Sequence, residues 1–162
     1  MTQQEYNNGA KIWADKAFRF AVRCCDNHEV DRDAVQEALT TLWDKRDKVP
    51  QEKALPFVMT ITHRQLMDHF RRQRHQFDSN QALKPDDSAP PDENFDLKEE
   101  LDRAMATLPE VQRAILQLRD IEGYAYKEIA NILNLSDQQV QVYLFRARVA
   151  LKKKLIADGY QY

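Results

Sequence analysis

Four arginines and three histidines crowd into residues 63–75: His63, Arg64, His69, Arg71, Arg72, Arg74 and His75. A guanidinium binds phosphate oxygens through paired hydrogen bonds and stacks flat on an unpaired base. That is chemistry for holding a nucleic-acid strand while it separates from its partner. A helix C-terminus also favours cations through its dipole, which accounts for one or two of these residues but not for four arginines. Asp68 stands among the cations, either at the DNA or as an ion-pair partner for one of them.

A second set of candidate residues lies in YKEIANILNLSDQQVQVYLFRARVALKKKL, residues 126–155. Ile129, Ala130 and Leu133 recur at helical spacing, and the turn Asn134-Leu135 follows. Ser136 and Gln139 form the S-x-x-Q pattern of a capping box that opens a second helix. On that helix Val140, Leu144, Ala147, Leu151 and Leu155 make one inward stripe. The pattern is a helix-turn-helix, whose second helix enters the DNA major groove. Opposite the inward stripe stand Gln138, Val142, Phe145, Arg146 and Val149, flanked by Gln139 and Gln141. Glutamine pairs with adenine, arginine with guanine or phosphate, and an apolar side chain with the thymine methyl. Val142, Phe145 and Val149 either contact thymine methyls or a protein surface, or pack against another helix of their own lobe.

Nothing in the sequence assembles a catalytic centre. There is no Gly-rich phosphate loop and no Ser-His-Asp arrangement. Cys24 and Cys25 are adjacent, too close for an unstrained disulfide, and read as reduced structural thiols. His28, His63, His69 and His75 lack the spacing of metal ligands. The expectation is a protein that is not an enzyme and holds no cofactor and no metal. The start, MTQQEYNNG, does not read as a signal peptide, and no apolar run approaches the roughly 20 residues of a membrane span. A cytoplasmic protein without membrane insertion is expected.

The elements that must position these residues are helices. The chain has 162 residues, 43% hydrophobic and 31% charged, with three glycines and no strand-and-turn rhythm, so the fold class is all-α. Amphipathic patterns run over about 6–27, 31–47 and 56–76, with Asp31 as the candidate N-cap of the second and Pro56 in the first turn of the third. Pro109 marks the start of a later helix, and Gly123 its C-cap. Between the two groups of helices, residues 78–100 carry eight acids against Lys84 and Lys98, a net charge of −6 inside a total of −2. The remainder is therefore net positive, as a nucleic-acid binder requires. Two small helical domains are expected, over 1–77 and 100–162, joined by a flexible acidic linker over 78–99.

Together these segments resemble the extracytoplasmic-function sigma factors, the small two-domain type of the sigma-70 family. DRDAVQEALTTLW is similar to that family's D-x-x-Q-E helix, with Asp33, Gln36 and Glu37 matching. ITHRQLMDHFRRQRH is similar to its I-A-R-N-x-x-x-D-x-x-R-R helix, with Ile61, Asp68, Arg71 and Arg72 matching. LPEVQRAILQLRDIEGYAYKEIANILNLS and FRARVALKKKL resemble the helices of its second domain. The resemblance implies an RNA polymerase sigma factor that directs core polymerase to promoters. Asp33, Gln36 and Glu37 would then dock on the beta-prime clamp helices. Arg64, Asp68, His69, Arg71, Arg72 and Arg74 would meet the minus-10 element. Ser136, Gln138, Gln139, Gln141, Val142, Phe145 and Arg146 would meet the minus-35 element, with the second domain bound to the beta flap. Many such proteins are held by an anti-sigma factor that covers both DNA surfaces.

The chain departs from the family pattern at specific places. Gln139 to Ala147 reads Q-V-Q-V-Y-L-F-R-A where the family commonly has T-V-K-S-R-L-H-R-A, so cationic and small polar residues are missing at Gln141, Val142 and Tyr143. Ala125 stands where a serine often caps the first motif helix, and Arg64 replaces an asparagine. The loop 47–53 lacks the common aromatic-glycine pattern. Two other classes compete with the sigma-factor reading. A stand-alone helix-turn-helix regulator would need a dimerising or ligand-binding first lobe, not a D-x-x-Q-E face. A protein-sequestering module would not bind DNA.

Overall fold

In a computed structural model, residues 1–25, 27–79 and 97–159 are described. Among them the chain forms only helices and turns. Helices α1 (Gln3–Cys25), α2 (His28–Asp44) and α3 (Ala54–Ser79) make the first lobe, with a 3-10 turn over Gln51–Lys53 leading into α3. Helices α4 (Leu97–Ala106), α5 (Glu110–Leu116), α6 (Tyr126–Leu133) and α7 (Asp137–Ala157) make the second, and a π turn over Gln117–Ile121 extends α5. Most of the acidic segment 78–99 lies outside the described residues; at its ends α3 continues through Ser79 and α4 begins at Leu97.

In the first lobe the apolar stripe of α1, formed by Trp13, Ala17, Phe20, Ala21 and Cys24, is buried. It packs with Ala34, Val35, Ala38 and Leu42 of α2 and with Val58, Ile61, Leu66 and Phe70 of α3. Tyr6 sets its ring edge-on to Trp13 and Trp43 and donates its hydroxyl to the carbonyl of Leu39 at 3.0 Å. Arg46 closes this aromatic group by stacking 4.1 Å over Trp43. The N-cap of α2 is Asn27, not Asp31: the Asn27 side chain accepts from the Val30 amide at 3.3 Å. An extended asparagine one turn upstream captures the free amides first, so Asp31 is drawn inside the helix and fully buried. Burial pushes the Cys24 thiol up to about 12 and the Cys25 thiol to about 11, leaving both protonated and unreactive.

In the second lobe Ile115 and Leu118, Ile129, Ile132 and Leu133, and Val140, Leu144 and Ala147 converge on one core. Gly123 takes φ +78° just beyond the π turn, a left-handed conformation in which a Cβ would be strained. The two lobes lie against each other, mainly α3 on α6, and their buried side chains form one continuous apolar cluster. Ion pairs edge the seam: Arg19–Glu122 at 2.9 Å, Arg23–Asp102 at 3.8 Å and Arg74–Glu110 at 2.9 Å. Arg113 reaches across it to lie 5.7 Å from the Phe70 ring.

Gly9 is buried under Trp13, and a Cβ there would collide with the indole ring. Alanine is a better helix former by about 1 kcal/mol, but overpacking costs about 1–3 kcal/mol. The Tyr6 ring, set edge-on to the indole, limits how far it can retreat. Gly9→Ala is therefore expected to destabilise the protein by about 1 kcal/mol or more. Urea unfolding followed by tryptophan fluorescence measures this directly; a higher midpoint for the variant would contradict the wedge.

Candidate nucleic-acid interface

The basic end of α3 does not present one uniform face. Helical periodicity aligns Arg64, Asp68 and Arg71 along an outward stripe, and Asp68 pairs with Arg71 at 3.5 Å. Of the two roles open to Asp68, the geometry shows the ion pair. Arg72 and His69 turn toward α2, where they line a cleft of about 270 Å³ together with Asp33, Glu37 and Gln65. Arg74 turns the other way, to Glu110 of the second lobe. The Arg74 side chain is largely exposed and Glu110 partly so, and the pair contributes no more than about 1 kcal/mol.

His63 does not belong to the basic surface. It is buried beside Phe20, and desolvation pulls its imidazole down from the usual 6.5 to about 4. At neutral pH it is an uncharged core residue on the inward side of α3. The spacing of histidines among arginines suggested a cation here; the three-dimensional packing of α3 on α1 removes it.

The helix-turn-helix is built from α6, the turn and α7. Asn134 ends α6 in the left-handed region at φ 54°, and the Leu135 amide bonds back to the Ala130 carbonyl at 2.9 Å. Ser136 then caps α7 reciprocally with Gln139. The Gln139 amide donates to the Ser136 hydroxyl at 3.1 Å, and the Ser136 amide donates to the Gln139 side chain at 2.9 Å. This bonding engages Gln139 and Ser136 in holding the helix start. Ala125 makes only half of the equivalent arrangement on α6: its amide donates to Glu128 at 2.8 Å, and it has no side-chain acceptor to return.

On α7 the inward stripe is buried as its periodicity requires, with Leu151 only half-buried. Gln138, Gln141 and Arg146 are exposed on the other side. Val142, Phe145 and Val149 are also exposed, by 45%, 70% and 42%, so they do not pack against another helix of the lobe. Arg148 is held by Asp120 through two hydrogen bonds.

Asp33, Gln36 and Glu37 are exposed together on α2. Beside them, α1 and α2 frame an open groove of about 830 Å³ lined by Tyr6, Phe18, His28, Val35, Gln36 and Leu39. Phe18 of this groove was not singled out by sequence, because it sits at the margin of a stripe whose centre is buried, whereas Val35 and Leu39 belong to the apolar face that the periodicity of α2 marks. Among the described residues no cluster of His, Cys, Asp and Glu is placed to hold a metal, and no helix is long and apolar enough to cross a membrane.

Comparison with known proteins places both lobes. A family model described as Sigma-70 region 2 matches residues 11–76, and one described as Sigma-70, region 4 matches residues 98–151. The chain is 29% identical to the probable RNA polymerase sigma factor RfaY of Xanthomonas campestris pv. campestris, over 95% of this chain and 41% of that protein. It is 23% identical to the ECF RNA polymerase sigma factor SigM of Bacillus subtilis, over 88% of this chain and 90% of SigM. Over 49% of its length it is 40% identical to the ECF RNA polymerase sigma-E factor of Escherichia coli K12, of which it covers 42%. The chain thus spans about two fifths of RfaY and of sigma-E, and nearly all of SigM. The fold is similar to that of the sigma factor RpoE of Bartonella quintana, solved in complex with the anti-sigma factor NepR. There the TM-score is 0.77 at 21% identity, covering 96% of this chain and 99% of the other.

Two outcomes follow from this geometry. His63 is neutral when folded and takes up a proton near 6.5 when unfolded, so the unfolded chain binds more protons between those pKa values. Stability is full above about pH 6.5 and falls as pH drops toward 4, by on the order of 3 kcal/mol. Urea midpoints at pH 7.5 and 5.0 should show the loss, and His63→Gln should flatten it. At the start of α6, Ala125 has the extended φ −68°, ψ 153° of an N-cap. Ala125→Ser should raise stability by about 1 kcal/mol, and Ser136→Ala should lower it by a similar amount, both read by thermal melting.

Proposed function

The chain belongs to the sigma-70 family of RNA polymerase sigma factors, and on that premise we propose that it is an extracytoplasmic-function sigma factor that directs core polymerase to a distinct set of promoters. The observation that carries this reading is the order of the two matched regions, 11–76 and 98–151, in one chain. A stand-alone regulator would need the second region only. The protein is not an enzyme; nucleotide addition belongs to the polymerase, and no cofactor is required. Its place of work is the cytoplasm.

The first lobe docks on core polymerase through α2. Asp33, Gln36 and Glu37 supply exposed polar contacts, and the apolar groove beside Gln36 offers area for a helix of the beta-prime clamp. On the outward stripe of α3, Arg64 and Arg71 bind the strand that separates at the minus-10 element, with Asp68 orienting Arg71, and Arg72 meets it from the cleft beside α2. Arg74 joins them once it is released from Glu110. The second lobe binds the beta flap and sets α7 in the major groove of the minus-35 element, its start fixed by the Ser136–Gln139 cap. An anti-sigma protein that covers α3 and α7 together is the class of inhibitor this arrangement suits.

Reconstitution with core polymerase tests the whole reading. The expected result is promoter-specific initiation that core alone does not give. Asp33→Ala with Glu37→Ala should weaken core binding while leaving the melting temperature within a few degrees. Arg71→Ala and Arg72→Ala should leave core binding intact, reduce open-complex formation, and lower the salt dependence by roughly 0.7 per arginine on a log–log plot. A chain that does not bind core polymerase would falsify the proposal.

A further inference from the structure

The outward face of α7 combines features that a phosphate-clamping helix does not have. Val142, Phe145 and Val149 stand exposed in a row, opposite the buried Val140, Leu144 and Ala147. They span about 10 Å of helix, or roughly three base-pair steps. Resting on the reading of this chain as a promoter-binding sigma factor, we propose that these three side chains are specificity determinants that read thymine C5-methyl groups. Minus-35 selection would then depend on methyl contact.

The charge around the row favours DNA over an apolar protein partner. Helical spacing puts Arg146 and Lys153 along one border of the row and Lys152 along the other, all exposed. An apolar strip edged by cations matches a major groove whose floor carries thymine methyls and whose walls carry phosphates. An apolar protein surface would leave those cations without a counterpart. Gln138 lies one turn before Val142 on the same face, beside a helix start held by the Ser136 cap, where it can pair with a neighbouring adenine. Arg148, the other cation in this part of α7, is fastened to Asp120 and turned from the face. Discrimination along the row therefore falls to shape and methyl contact. Cytosine lacks the methyl group, and a purine replaces it with polar edges that these side chains cannot satisfy.

The test uses the full chain bound to core polymerase. A promoter pool randomised over the minus-35 region is selected for binding, and the recovered site is remade with each thymine replaced by uracil, which removes only the methyl group. The wild type should lose about fourfold in affinity for each methyl in contact. Phe145→Ala and Val142→Ala should bind the thymine site more weakly and no longer distinguish it from the uracil site at the position each one touches. Phe145→Leu should retain part of the distinction. Because these side chains are exposed, circular dichroism should show unchanged helicity and melting. If promoter complexes form but ignore the uracil exchange, or if Phe145→Ala keeps full sensitivity to it, the methyl-reading inference is wrong and the sigma-factor reading stands. Loss of core binding by Phe145→Ala would instead make the row a protein surface and overturn the inference. If the wild type forms no promoter-specific complex at all, both fall.

Discussion

Burial of apolar side chains in lobes too small to bury many is the constraint on which the rest of the structure depends. A domain of fewer than about 80 residues hides a smaller fraction of its surface than a larger one, and its stability is correspondingly thin. Here the two lobes share what they bury: Phe20, Leu42 and Leu66 on one side and Ile115, Leu118, Ile129 and Leu144 on the other belong to one cluster. The cross-lobe ion pairs are mostly exposed, and such pairs add little net stability. They fix how the lobes meet, while burial supplies the force. Apolar burial is insensitive to moderate salt and exposed ion pairs are not, so ionic conditions act on the register of the seam before they act on the lobes.

The same division separates structural charges from those free to meet a polyanion. Arg19, Arg23, Arg74, Arg103 and Arg148 are paired with carboxylates of other turns or helices. Arg64 and Arg72 make no ion pair with the described residues, and Arg71 holds only the exposed Asp68. Net charge says nothing of this, because the acids that offset these cations are concentrated in the segment between the lobes. What a nucleic acid meets is a local pattern, and the pattern follows from where each helix turns its stripe.

Much of that pattern was legible in the sequence, for a physical reason. The helices, the Asn134 turn and the Ser136–Gln139 cap are set by local rules of periodicity and hydrogen bonding, so nearby residues suffice to foresee them. Asp31 shows the limit even of local reading: it has the right chemistry for an N-cap, but Asn27 is one turn closer to the loop. Longer-range facts needed the fold. That His63 is a core residue depends on α1 lying over α3. That Val142, Phe145 and Val149 are exposed depends on which helices of the second lobe reach α7, and an apolar residue on a helix can face either way. The groove between α1 and α2 was only half legible: Val35 and Leu39 lie on the apolar face of α2, but Phe18 is the margin of a stripe and carries no periodic signal. The spread of Arg72 and Arg74 to opposite sides of α3 follows from their spacing, but what waits for them there, a cleft and a second lobe, does not.

The π turn at Gln117–Ile121 has a consequence for how the outer helix is aimed. Its bond from the Glu122 amide to the Gln117 carbonyl, 3.0 Å, spans five residues instead of four, which amounts to one surplus residue wound into the end of α5. In an α-helix each residue advances the chain by about 100° of rotation. The surplus residue therefore acts as a phase shift: it sets the direction in which the chain leaves α5, and so the bearing at which α6 and α7 are mounted. Because residues come in whole numbers, that bearing moves only in large steps. The aim of α7 is in this sense indexed, like a toothed wheel, and small adjustments have to come from the side chains it carries.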